Sequence, residues 1–211
     1  MDIEILDDFW LEDYIVDINK LCDRAKAIYF EHILNDKHCD EDGKQIGMDW
    51  LFDYDVFDTS LTPIEQIFNM AYHCYFVKIS QEGGNNTFTP NCLSFIESLQ
   101  KQVSIEFGDK KYIVDFVVDF STKNANGSYI HPKIKDLKYA IELDGYDSHS
   151  SKKQINHDYN RQQELQLLGY KVIRFTGSQI YNSPYDCVAR LVGIILGDID
   201  KEMEKWRRNN E

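Results

Sequence analysis

Lys111-Tyr112-Ile113-Val114-Asp115-Phe116-Val117-Val118-Asp119-Phe120 is the run that decides the fold. Tyr112, Val114, Phe116, Val118 and Phe120 fall on every second residue, so the run predicts a strand whose even positions form a core face. Asp115 and Asp119 then share the opposite face. A strand-like run from Gln102 to Phe107 precedes it, joined through Gly108-Asp109-Lys110, which is a hairpin connection. Downstream, Leu137 to Leu143 repeats the pattern: Tyr139, Ile141 and Leu143 share one face, while Glu142 and Asp144 share the other, just ahead of Gly145. Two neighbouring strands therefore present carboxylates from a common side.

Working outward, Gln154 to Leu168 reads as a helix with Gly169 just past its end, Tyr170 to Phe175 as a fourth strand, and the stretch from Pro184 toward Trp206 as a final helix. Upstream, Thr62 suits an N-cap, Pro63 the first helical position, and Glu65 the third, where its carboxylate can return a hydrogen bond. That helix should reach about Ile79, followed by a loop around Gly83, Gly84 and Pro90 and a short helix from Phe95 to Leu99. Apolar residues from Phe9 to Leu34 recur at helical spacing, whereas residues 36–58 are acidic and lack a period. The expectation is an α/β fold: a mixed β-sheet flanked by helices in residues 61–211, with an acidic, partly helical extension in residues 1–60.

The formal charge of −13 is concentrated at one end. Residues 1–60 hold 17 Asp and Glu against 5 Lys and Arg, and residues 61–211 hold 19 against 18. Around the acidic strands, Lys133, Lys135, Lys138, Lys152, Lys153, Arg161, Lys171 and Arg174 cluster in sequence; they are either a local phosphate-attracting surface or ordinary solvated side chains. The five cysteines form no CxxC pair, and His38 beside Cys39 lacks a second ligand pair. With no apolar run of membrane-spanning length and no signal-like start, the expected setting is cytoplasmic, with no membrane partner.

Carboxylates crowded at a strand end raise one another's pKa unless a cation sits among them. Mg²⁺ accepts such oxygen ligands while keeping several waters, Mn²⁺ can take its place, and a metal so held can activate water for attack on phosphorus. Acids on the wet face of a sheet are common, so no single one carries this argument. The ordered set does: Thr62-Pro63-Ile64-Glu65-Gln66, Tyr112-Ile113-Val114-Asp115-Phe116, Ile141-Glu142-Leu143-Asp144-Gly145, then Tyr170-Lys171-Val172-Ile173-Arg174-Phe175-Thr176-Gly177-Ser178.

That set resembles the PD-(D/E)XK nuclease superfamily, in the branch of bacterial proteins related to very-short-patch-repair endonucleases, over roughly Leu61 to Leu196. The resemblance implies a restriction-endonuclease-like core and a Mg²⁺-dependent endonuclease acting on nucleic acid, DNA before RNA. Asp115 matches the first metal-binding aspartate, Glu142 the acidic residue of the next strand, and Leu143 the residue whose carbonyl joins the metal. Glu65 matches a glutamate that holds metal-bound water, although a capping box accounts for it equally well.

Two residues past Glu142, where the superfamily pattern has lysine, this chain has Asp144. The branch pattern of E-x-D-G followed by His and then K-x-Q offers His149 or Lys152 as the replacement charge. Asp158 and Arg161 match a D-x-x-R helix motif, though an i,i+3 ion pair explains them as well. Arg174, with Lys153 and Arg161, is expected to reach phosphate, with salt bridging as the alternative. Two rivals follow from the same residues: a nuclease fold that binds without cleaving, and an interaction role for the acidic segment, either mimicking nucleic acid or capturing a basic partner subunit.

Overall fold

The computed structural model describes residues 18–31, 56–82, 96–120, 134, 136–145 and 152–210. The chain divides into two compact units, residues 1–78 and 79–211. Most of the acidic segment, and with it His38 and Cys39, lies outside the described residues. No helix among the described residues is long and apolar enough to cross a membrane.

In the first unit, helix α1 (Asp23–Tyr29) buries Ala25, Ile28 and Tyr29. The N–H of Cys22, just before it, donates to Gln66 Oε1 at 2.8 Å, and Gln66 Nε2 donates to the Leu61 carbonyl at 2.8 Å. Gln66 lies in helix α2 (Pro63–Glu82), most of whose length belongs to this unit. As the sequence predicts, Thr62 precedes the helix, and its N–H donates to Glu65 Oε2 at 2.6 Å, the returning arm of a capping box. Ile67, Phe68, Met70, Ala71 and Cys74 are all buried, so the helix is covered on every side over residues 65–74.

The second unit is a mixed four-stranded sheet, β1 (Ile96–Phe107), β2 (Lys110–Phe120), β3 (Lys138–Asp144) and β4 (Tyr170–Thr176), in the spatial order β1-β2-β3-β4. The first two pairings are antiparallel, and β3 with β4 is parallel. Parallel neighbours need a crossover, which helix α3 (Lys152–Leu167) supplies. A short helix α4 (Gly177–Asn182) and a long helix α5 (Pro184–Asn210) close the chain. This is the expected mixed sheet flanked by helices.

Two local expectations change. Ile96 to Leu99 is not helical: Ile96 pairs with Phe120 and Leu99 with Val118, so these residues extend β1. A short apolar cluster has no decisive period of its own, and the open edge of β2 recruits it.

The second change concerns β2, whose even residues do not share one face. The Tyr112 hydroxyl donates to Glu164 on α3, and Val114 packs with Val117, Ala140 and Leu165 in the core beneath that helix. Phe120, of the same parity as Tyr112, instead meets the Tyr139 ring, at 5.9 Å between centroids. Tyr139 precedes Ala140 and so lies on the sheet's other face, where its hydroxyl donates to Asp198 of α5 at 3.0 Å. The hairpin therefore changes faces along its length. The break falls where β1 and β2 pair Lys101 with Phe116 and Val103 with Val114, leaving Gln102 and Asp115 between. Gln102 has φ 49, a left-handed backbone uncommon for a side chain of its kind.

Candidate active site

β3 carries the acidic positions because it lies between β2 and β4 with both faces covered. Tyr139, Ala140 and Ile141 are fully buried and Glu142 nearly so, while Leu143 and Asp144 at the strand's end are half-buried. Glu142 pairs with Arg174 and Asp144 with Thr176 in the β3–β4 ladder. The β2–β3 ladder, by contrast, stops at Phe116 with Ile141. One step further, Asp115 Oδ2 accepts a 2.7 Å hydrogen bond from the N–H of Leu143. The carboxylate thus occupies an N–H at the place where the strands cease to pair, which locks Asp115 onto the backbone between Glu142 and Asp144.

The three carboxylates differ in their engagement. Asp144 accepts both nitrogens of an Arg174 fork, Nη2 at 2.6 Å and Nε at 3.1 Å. This charge-assisted pair holds the Arg174 guanidinium above its ordinary pKa, despite partial burial that opposes it. Glu142 is buried, with only 5% exposure. Burial pushes its carboxyl above the usual carboxylate range; Arg161 and Arg174 pull it back, and the charges of Asp115 and Asp144 push it up again.

Arg161 Nη2 stands 2.8 Å from Glu142 Oε1. The close approach is an ion pair and not a hydrogen bond, because no donor is aligned with that oxygen.

Asp115, Glu142, Leu143, Asp144, Arg161 and Arg174 thus come together at one end of β3. His149 lies outside the described residues, and Lys152 and Lys153 open α3 with side chains outside the description. Glu65 sits at the start of α2 in the first unit, buried and bonded to Thr62. Glu65→Gln is expected to lower activity more than melting temperature, since glutamine can accept the same N–H while removing the charge. An unchanged rate with a lower melting temperature would assign Glu65 to the cap alone.

The proximity of Arg161 to Glu142 is what sequence reasoning missed. The D-x-x-R spacing marked Arg161 as notable, but a local ion pair on the same helix was an adequate account of it. Its connection instead runs across the sheet edge, where Arg161 Nη2 also donates to the Ile113 carbonyl on β2.

This geometry lies within the part of the chain that a known family covers: the model of the REase_MTES_1575 family matches residues 88–195 of the 211. The chain belongs to this restriction-endonuclease-like family. The matched segment contains β1 to β4, α3 and every residue of the cluster; Glu65 precedes it. Family membership makes nucleic acid the substrate class and phosphodiester cleavage the family activity. No curated protein and no solved structure matches the chain.

No group of three or more His, Cys, Asp or Glu side chains stands in metal-holding geometry among the described residues. Mg²⁺ does not require one, since it is commonly held through one or two carboxylates, with water and substrate phosphate completing the octahedron. Glu142 and Asp115 are the two carboxylates that meet that requirement; Glu142 Oε1 is buried with no aligned donor, and Arg161 Nη2, 2.8 Å away, would have to yield to a cation there. Asp144 fits it poorly, because Arg174 takes both of its oxygens.

Proposed function

We propose that the protein is a metal-dependent nuclease that hydrolyses phosphodiesters, DNA before RNA, at the open end of β3. The observation that supports this best is Glu142 Oε1: a buried acidic oxygen with no hydrogen-bond donor, next to a second carboxylate, in a restriction-endonuclease-like chain. The Arg161 charge 2.8 Å away offsets part of the cost of burying that oxygen, and a ligand would offset the rest.

In this proposal Asp115 and Glu142 hold Mg²⁺, or Mn²⁺ in its place, with the Leu143 carbonyl as a further oxygen. The chemistry the metal supplies when bound is acidification of water and neutralisation of charge at phosphorus. Asp115 is fixed for that task by the Leu143 N–H, so its second oxygen keeps one direction. Asp144 does not act as a ligand: it anchors Arg174 and keeps that guanidinium at the strand end. His149 is the candidate general base at the attacking water, and Lys152 the candidate to orient that water or offset charge on the phosphate.

A binding module without cleavage is the second reading, favoured by the Asp144–Arg174 fork, which replaces the expected lysine with an internally neutralised pair. Incubation with plasmid, linear single-stranded DNA, branched DNA and RNA, each with Mg²⁺, Mn²⁺ or chelator, separates the two. Cleavage that requires metal and is lost in Asp115→Ala supports the nuclease. Binding with no cleavage of any substrate identifies the module.

A further inference from the structure

Two unsatisfied buried atoms lie side by side in this site. Glu142 Oε1 has no donor directed at it, and Arg161 Nε, also buried, has no acceptor. They belong to residues in 2.8 Å contact through Arg161 Nη2, so the pair is close yet leaves one acceptor and one donor unmet. Native proteins rarely leave such groups unmatched, and when two occur together they point to something that satisfies both. An anion held against a cation has that chemistry: the cation meets the glutamate oxygen, and the anion meets the guanidinium N–H.

The other guanidinium of the site differs in this respect. Arg174 donates from both Nε and Nη2 to Asp144, and its fork is closed on a carboxylate of this chain. Arg161 donates one hydrogen bond, from Nη2 to the Ile113 carbonyl two residues before Asp115, and the same nitrogen is paired with Glu142. The Arg161 side chain is 23% exposed while Nε itself is buried, so the Nε–H meets a ligand only when the guanidinium shifts outward. Lys152 starts the same helix nine residues earlier, about two and a half turns along the axis, so it does not share the position of Arg161.

We infer that Arg161 contacts the substrate, its Nε–H taking a non-bridging oxygen of the phosphodiester beside Glu142. It thereby provides the fixed positive charge at the place where Asp144 stands instead of lysine. The inference rests on the nuclease reading of the site and adds to it a residue with a defined donor atom. Guanidinium is suited to this role, since it stays charged at all working pH values and presents its donors in a rigid plane.

The test is binding in the presence of chelator, with no turnover. A fluorescein-labelled 30-base-pair duplex is titrated with wild type, Arg161→Ala, Arg161→Lys and Arg208→Ala over a range of salt concentrations, with melting curves recorded for each protein. Arg161→Ala is expected to bind about tenfold more weakly and to lower the slope of log affinity against log salt by about one, the signature of one lost phosphate contact. Arg161→Lys should recover the slope without recovering the affinity, because the ammonium keeps the charge and loses the Nε–H. Arg208→Ala, which breaks a surface pair with Glu204 outside the site, should match wild type.

Wild-type affinity and slope in a folded Arg161→Ala protein overturn the inference, since a purely structural ion pair predicts only a lower melting temperature. If Arg161→Ala fails to fold, wild-type affinity in Arg161→Lys overturns it equally. Loss of slope in a protein that cleaves nothing under any metal condition sinks the nuclease reading and leaves the phosphate contact standing. Normal cleavage by wild type together with unaltered binding by the variants sinks the contact alone. Absence of binding by folded wild type to duplex, single strand and RNA overturns both.

Discussion

Glu142→Gln is expected to remove cleavage almost completely and yet leave the protein at least as stable as wild type at pH 7. The loss of activity follows from the proposed role. A metal at phosphorus supplies several kcal/mol of transition-state stabilisation, so deleting the charged ligand should cost roughly three orders of magnitude in rate. The gain in stability follows from the environment of Glu142. Its carboxyl is raised by burial, an effect that the attraction of Arg161 and Arg174 does not cancel.

The native state therefore holds the Glu142 proton more tightly than the unfolded chain does. Stability is complete below the unfolded value near ~4.3 and falls as pH rises toward the raised native one. Glutamine never ionises, so the variant escapes that loss. The melting-temperature difference between variant and wild type should be small at acidic pH, grow as pH rises, and then level off. A glutamine variant that melts well below wild type at pH 7 would mean that the ion pair with Arg161 outweighs burial. A variant that still cleaves would remove Glu142 from the site.

The largest effect on stability is expected on the other face of the sheet. Asp198, buried on α5, accepts from the Tyr139 hydroxyl on β3 and from Lys171 on β4, with Lys201 at 3.4 Å. Asp198→Ala would leave the Tyr139 hydroxyl buried without that acceptor and remove a charge-assisted bond, at a cost of about 3 kcal/mol. For a protein of this length that corresponds to roughly 6–12 °C in melting temperature.

Burial alone would raise the Asp198 carboxyl, but hydrogen bonds from Lys171 and Tyr139 outweigh it and hold the group below the ordinary aspartate range. Its contribution is therefore present above ~3.9 and disappears as pH falls through the lowered native value. The gap between wild type and Asp198→Ala should be constant from pH 7 to about 5 and narrow in stronger acid, as the charge-assisted part is lost while the Tyr139 bond remains. A gap that persists unchanged at pH 2 would assign the loss to packing instead.

The sheet and the site were legible in the sequence to different depths. Alternation identified β2 and β3, and the acidic residues at 115, 142 and 144 do meet at one strand end. The helix beginning at Pro63 announced itself through Thr62 and Glu65, because cap chemistry is local. The Thr176-x-x-Gln179 box that starts α4 is equally local, and the sequence reading passed over it, although both of its hydrogen bonds are present. Ile96 to Leu99 could not be assigned from composition, because their conformation is set by pairing with β2. The face change at Gln102 and Asp115 was obscured for a related reason: every even position from 112 to 120 is apolar, and apolar Ile113 and Val117 among the odd ones were the only sign that the strand has two covered faces. Arg161 beside Glu142 is a long-range contact, and its sequence signature was shared with a commonplace helical ion pair.

The change of faces makes Asp115 a fulcrum. Up to Val114 the β1–β2 hairpin is tethered to α3, through Glu164 to Tyr112 and to Lys110. Beyond it the strand is shared: Val117 stays beneath α3, while Phe120 meets the layer that includes Tyr139 and α5. A tilt of α3 against the sheet would therefore load β2 through Tyr112 and Val114, just ahead of residue 115, and β3 through Ala140. The spacing between Asp115 and Glu142 can be trimmed by distant packing on α3, so substitutions at Leu165 or Glu164 should act on the acidic pair without touching it.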